Sequence, residues 1–124
     1  MLIIKGQPIP KKNSQEIHVN QATGKRFVSQ NERYKEYELS ALWQLKTQPH
    51  NVPDPPLNVK CIYFRADKRR VDLTNLLEAT DDILVRAGII EDDNFNIIAG
   101  HDGSRVLYDK QNPRTEIEIT RMEE

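Results

Sequence analysis

Acidic side chains concentrate between residues 72 and 93, where seven carboxylates face a single cation, Arg86. Asp72 stands at the start of a predicted helix, where the helix dipole stabilises negative charge. Asp92 and Asp93 occupy a predicted turn that can fold back towards Asp72. Mg²⁺ binds a few carboxylates plus water, so two or three of these groups suffice. A metal held there would neutralise phosphate charge and acidify an attacking water, which is the chemistry of phosphodiester hydrolysis.

The helix that follows has one polar and one apolar side. Asn75, Glu78 and Asp82 fall within about 60° of one another at 100° per residue, so we expect their side chains to converge. Glu78 is a candidate ligand, and Asn75 and Asp82 are candidate supporting residues. The opposite side is apolar and carries Leu73, Leu76, Leu77, Ile83, Leu84 and Ala87. This pattern predicts an amphipathic helix from Asp72 to about Gly88.

Basic side chains precede the acidic region, although the net charge of the chain is only −1. Residues 60–71 carry five cations against Asp67 alone, and residues 1–35 carry seven against two carboxylates. Such surfaces attract the phosphate backbone of nucleic acids. The candidate DNA-binding residues are Lys11, Lys12, Asn13, Lys68, Arg69 and Arg70.

Each of these groups also has a structural interpretation. Asp72 is a good helix N-cap, the acidic helix residues suit a solvated face, and Asp92-Asp93 suits an ordinary turn. The Lys68–Arg70 run is equally typical of a solubilising strand end. The residues alone leave both interpretations open.

The elements that must position these residues are strands and two helices. Strands are predicted at 1–4, 57–65, 95–99, 105–108 and 115–120, a hairpin pairs 17–19 with 26–28, and helices cover about 30–46 and 72–88. This order predicts an α+β (mixed α/β) fold in which two main helices cover a small mixed sheet.

Composition limits the chain to one folded unit. With 124 residues, 37% of them hydrophobic, we expect one domain over residues 1–124. No apolar run approaches the roughly 18 residues of a membrane span and no signal peptide is visible, so we expect a cytoplasmic protein without a membrane partner. Cys61 is predicted to be buried in a strand, and His18, His50 and His101, which share no ligand spacing, to be structural or exposed.

Three motifs occur together in order. They are Arg69-Arg70-Val71-Asp72-Leu73-Thr74-Asn75-Leu76-Leu77-Glu78, then Asp82, then Gly88-Ile89-Ile90-Glu91-Asp92-Asp93, and Pro10-Lys11-Lys12-Asn13 and Val28-Ser29 precede them. This arrangement resembles the RusA family of Holliday-junction resolvases, and the likeness covers nearly the whole chain. It implies a nuclease domain that acts on four-way or branched DNA in recombination and repair, encoded with phage or prophage functions.

The resemblance also implies roles for individual residues. Asp72 matches the first metal-ligand aspartate of the family, Asp93 the distal one with Asp92 beside it, and Asn75 the motif asparagine. The implied cofactor is Mg²⁺, with Mn²⁺ as a substitute. Two symmetric nicks require two active sites, so a two-fold homodimer is expected.

Two positions depart from the family pattern. Thr74 stands where the family has a second aspartate, and a neutral hydroxyl is a poor ligand for a hard cation. Glu78 stands where the family has a lysine, and its carboxylate would restore the lost negative charge. The lysine's role falls to Lys11, Lys12 or Lys68, among which the sequence does not choose.

Three functions therefore compete. The first is a metal-dependent structure-selective endodeoxyribonuclease. The second is a junction-binding protein with weak or lost catalysis, for which Thr74 and Glu78 argue. The third is a protein-interaction module without DNA affinity, which leaves the paired basic and acidic segments unexplained.

Overall fold

The computed structural model describes residues 1–11 and 30–122 of the chain. In chain order its elements are β1 (Leu2–Lys5), α1 (Gln30–Lys46), β2 (Leu57–Arg65), α2 (Leu73–Arg86), β3 (Ile98–Gly100), β4 (Arg105–Tyr108) and β5 (Arg114–Arg121). They confirm the α+β prediction and the positions of both helices. The predicted hairpin at 17–28, Lys12 and Asn13 lie outside the described residues.

The five strands form one mixed sheet centred on β2. On one side β2 pairs with β5, antiparallel, and β5 pairs with β1. On the other side β3 runs parallel to the start of β2 and β4 runs parallel to its end. Residues 101–104 interrupt this edge, and side chains complete the ladder there. Asn58 pairs with the backbone of Asp102, and the Ser104 hydroxyl accepts the Cys61 N–H at 3.0 Å.

Both helices pack on the same face of the sheet. Tyr37 of α1 lies 3.4 Å from the hydroxyl of Thr115, and Tyr63 donates to Thr80 of α2 at 2.6 Å. Tyr63 and Thr115 are register partners on β2 and β5, so their side chains share a face. Cys61 lies on that face too and is fully buried, as predicted, and burial raises the pKa of its thiol to about 12.

Helix α2 ends where its apolar pattern predicts. Gly88 has φ +75°, and its N–H bonds to the carbonyl of Val85 while that of Ile89 reaches Leu84. This is a Schellman motif, which needs a left-handed residue that glycine adopts without a Cβ clash. The turn buries Ile89 and Ile90 and sends the chain into the acidic segment.

The expected strand at 95–99 is wrong in its first half. Residues 95–97 form a turn, and β3 begins only at Ile98. The Asn94 side chain accepts the N–H of Asn96, and the Asn94 carbonyl accepts those of Ile97 and Ile98. Local bonds of this kind compete with strand pairing and hold the chain in a turn.

Strand β1 has an unusual outer edge. The side-chain amide of Gln48 bonds to both the N–H and the carbonyl of Ile3, and that of Gln44 does the same at Lys5. Gln44 lies in α1 and Gln48 lies just after its C-terminal end. Their side-chain amides therefore take the place of the backbone of a neighbouring strand. No helix within the described ranges is long and apolar enough to cross a membrane.

Candidate functional site

The basic loop, residues 66–71, connects β2 to α2 and is held at its base. Arg65 at the end of β2 is buried, and its Nη1 donates to the carbonyl of Pro8 at 2.7 Å. The carboxylate of Asp67 accepts the backbone N–H of Arg69 at 3.0 Å and lies 3.6 Å from Arg65. The exposed carboxylate of Asp67 therefore contacts Arg65 and the loop backbone, and it forms no ion pair with Lys68, Arg69 or Arg70 among the described residues.

Lys68, Arg69 and Arg70 project from the basic loop into solvent. Among the described residues none of the three forms an ion pair, and the ammonium of Lys68 lies 5.0 Å from the centre of the Tyr108 ring. Two surface hollows of about 200 and 490 Å³ flank the loop. The loop therefore presents exposed cations to which phosphate can bind. Lys11, another predicted DNA-binding residue, instead pairs with Asp82 at 2.8 Å.

Asp72 directly follows the basic loop and occupies the N-cap of α2. Its carbonyl accepts the N–H groups of Asn75 and Leu76, but its carboxylate makes no capping hydrogen bond within α2. That carboxylate instead accepts the side-chain amide of Asn75, at 3.3 Å. Asn75 is itself buried and holds the acid in place. Capping thus does not account for the exposed carboxylate of Asp72.

The acidic turn at 91–94 carries three carboxyl groups, and the pKa values of two of them, Asp92 and Asp93, are shifted in opposite directions. Asp92 accepts the backbone N–H of Asp93 at 2.8 Å and the side-chain amide of Asn94 at 2.9 Å, and these bonds lower its pKa. Desolvation, followed by the neighbouring Asp92 carboxyl, raises the pKa of Asp93, and the more distant charge of Asp81 adds to the effect. Crowded negative charge of this kind is relieved by a cation.

The other predicted residues of α2 contact different partners. Asn75 turns towards Asp72, Asp82 towards Lys11, and Glu78 is exposed, as is Thr74. Over residues 1–11 and 30–122, no three His, Cys, Asp or Glu side chains come together as a metal site. The oxygen donors nevertheless have the chemistry that Mg²⁺ prefers. The assignment of ligands to Asp72, Asp92, Asp93 and Glu78 stays a prediction.

Sequence reasoning missed a buried pair behind the acidic turn. Asp81 of α2 is only 8% exposed, and both of its oxygens accept from Nε2 of His101, at 2.9 and 3.0 Å. The pair joins α2 to the interruption between β3 and β4. The only sequence signal is a carboxylate at the border between the apolar and polar sides of α2. The structural role expected for His101 is confirmed.

A loop that attracts phosphate followed directly by an exposed carboxylate is an arrangement that suits the class of proteins that act on nucleic acids. The family model for Endodeoxyribonuclease RusA matches residues 5–120, and the chain belongs to that family. It is also similar to a crossover junction endodeoxyribonuclease RusA from Aquifex aeolicus (strain VF5). The two are 28% identical over 89 residues, which cover 71% of this chain and 67% of the relative. The resemblance to the RusA family is thereby confirmed.

Proposed function

We propose that the protein is a metal-dependent, structure-selective endodeoxyribonuclease that resolves four-way or branched DNA by paired phosphodiester hydrolysis. The observation that carries the proposal is the arrangement at the start of α2. There the exposed cations of the basic loop are followed directly by an exposed carboxylate that does not cap its helix. Family membership and the activity for which the relative is named support the same conclusion.

The residues divide the work between binding and positioning. Lys68, Arg69 and Arg70 bind the DNA backbone, and the buried guanidinium of Arg65 anchors the loop from which they project. Asn75 orients the Asp72 carboxylate through its side-chain amide. A phosphate bound by these cations would lie beside the Asp72 carboxylate, which is the proximity that hydrolysis needs.

Mg²⁺, or Mn²⁺ in its place, is the proposed cofactor. Asp72, Asp92, Asp93 and Glu78 would hold it, because hard divalent cations prefer carboxylate oxygens. When bound, the ion supplies charge neutralisation at the phosphate and an acidified water. Desolvation and then the neighbouring Asp92 carboxyl raise the pKa of Asp93, and a bound cation would favour its charged form.

We further propose that the working form is a homodimer that acts in recombination and repair within the cytoplasm. Two nicks at opposite strands of a symmetric junction require two active sites related by a two-fold axis. One chain supplies one Asp72 and one acidic turn, so the second site would come from a second copy.

The test is incubation with a synthetic four-way junction labelled on each strand, with and without Mg²⁺ or Mn²⁺. A linear duplex of the same sequence and the Asp72→Asn variant serve as matched controls. Metal-dependent paired cuts in the junction alone, lost in Asp72→Asn, are the expected result. Binding of the junction without metal and without cleavage would favour the junction-binding protein with weak or lost catalysis. Failure to bind any DNA would favour the protein-interaction module.

A further inference from the structure

The larger of the two hollows beside the basic loop has a composition that phosphate binding alone does not explain. We name it the Tyr108 hollow. It encloses about 490 Å³, with residues 67–71 on one wall and Val106, Leu107 and Tyr108 of β4 on the other. One wall is therefore cationic, while the facing wall is apolar and aromatic.

Tyr108 ends β4 at the edge of the sheet. It is the register partner of Arg65 and is 49% exposed, and its neighbour Leu107 is 42% exposed. Successive strand residues point to opposite faces of the sheet, so the exposed Tyr108 ring, on the same face as Arg65, is the aromatic surface available on this side of the edge. The Lys68 ammonium lies over the Tyr108 ring, 5.0 Å from its centre, so the ring already accepts a cation from the loop and a base that stacks on it would displace Lys68 towards a flanking phosphate.

Charge selects the kind of partner. The hollow is lined by four cations and one carboxylate, and that carboxylate, Asp67, already faces Arg65 and the Arg69 N–H. The buried Nε of Arg65 has no hydrogen-bond acceptor among the described residues. A ligand that fits must bring negative charge or acceptors together with a flat apolar surface. A nucleotide has both.

We propose that the Tyr108 hollow takes one unpaired base of branched DNA, stacked on the Tyr108 ring, with its flanking phosphates on Lys68, Arg69 and Arg70. This inference rests on the proposed function. Aromatic platforms set in cationic grooves bind bases in this way irrespective of sequence. In a continuous duplex every base is already stacked, so only DNA with an open branch supplies the ligand.

The position of the hollow gives the stacked base a role in choosing the substrate. Val71 forms part of its wall, and the next residue is Asp72. A base stacked on Tyr108 would thus hold the branch point next to Asp72, the proposed metal ligand. Selection of structure and cleavage then occur on one continuous surface, formed by the basic loop and the start of α2.

The experiment measures binding in EDTA, where no cleavage occurs, with the full chain. The probe is branched DNA carrying 2-aminopurine at the unpaired position beside the branch, and the same base in a continuous duplex is its control. Tyr108→Ala removes the ring, and Tyr108→Phe keeps it. Trp43→Ala is the matched control, because Trp43 is 71% exposed on α1 beside β1, at the opposite edge of the sheet.

Wild type should quench the 2-aminopurine fluorescence of the branched probe and bind it more tightly than the duplex. Tyr108→Ala should weaken binding to the branched probe about ten-fold and abolish the quenching, with duplex affinity unchanged. Tyr108→Phe and Trp43→Ala should behave as wild type. Equal losses on both probes, or no loss on either, would overturn the proposal. Wild-type stacking without cleavage in Mg²⁺ would instead defeat only the nuclease assignment.

Discussion

Replacing His101 with alanine should destabilise the fold through Asp81. Both oxygens of Asp81 bond to His101, and the carboxylate is 8% exposed, so the variant leaves a nearly buried charge without its partner. Breaking a fully buried pair costs roughly 3–5 kcal/mol. The His101 side chain is 27% exposed, so water can partly replace it. We therefore expect a loss of about 2 kcal/mol, near the cost of one unsatisfied buried group.

Thermal unfolding followed by circular dichroism measures this loss. A domain of this size should lose about 6–10 °C in Tm. Asp81→Asn and the double variant complete a thermodynamic cycle, and the double variant should be less destabilised than the two single losses added together. A Tm within about 1–2 °C of wild type for His101→Ala would refute the reasoning, as would strict additivity, because either result means that the pair carries no coupling.

Four further predictions concern the site and one turn. Asp72→Asn should reduce junction cleavage more than about 100-fold, while the affinity for the junction in a gel-shift assay persists. The loss should exceed the roughly 10–100-fold that is typical when a residue hydrogen-bonded to a metal ligand, rather than the ligand itself, is changed. Replacing Lys68, Arg69 and Arg70 together with alanine should reduce the slope of log affinity against log salt concentration by about three, one for each phosphate that the loop no longer neutralises. An unchanged slope would show that the basic loop does not face DNA. Glu78→Gln should raise the Mg²⁺ concentration at half-maximal cleavage, with rescue at high Mg²⁺, whereas an unshifted titration would remove Glu78 from the site. The hydrogen bond from Arg114 lowers the pKa of Asp109. The stability that this hydrogen bond adds should be complete above about pH 4, the ordinary pKa of aspartate, and should be lost as the pH falls through the lowered pKa. An NMR titration of the Asp109 carboxyl carbon measures the shift.

Periodicity predicted the regular elements because it reports which side of each element meets the core. The alternation in β2 and the apolar side of α2 are local patterns that burial enforces, and both elements occur where expected. The turn at 95–97 was missed because the side chain and the backbone carbonyl of Asn94 hold it with local hydrogen bonds, which leave no mark on the hydrophobic pattern. Apolar residues such as Phe95 and Ile97 suggested a strand that these bonds prevent.

The site was predictable only where chain neighbours make it. Asp72 and the basic loop are adjacent in sequence, so their proximity needed no tertiary information. Pairs that join distant elements gave almost no signal: Asp81 and His101 are 20 residues apart, and Lys68 meets Tyr108 across the gap between the loop and β4. The convergence expected on α2 neglected partners outside the helix, of which Lys11 is one.

The two glutamines that close the edge of β1 make the outermost strand behave as an interior one. Edge strands normally offer unpaired N–H groups to water and to other sheets. Here the N–H of Lys5 donates to the side chain of Gln44 in α1, and the N–H of Ile3 donates to that of Gln48 just after α1, so neither acceptor belongs to a strand. Their amide hydrogens should therefore exchange slowly, at the rate at which α1 itself opens. Strand β1 therefore opens to hydrogen exchange only when α1 opens. The sheet edge and the helix form one cooperative unit.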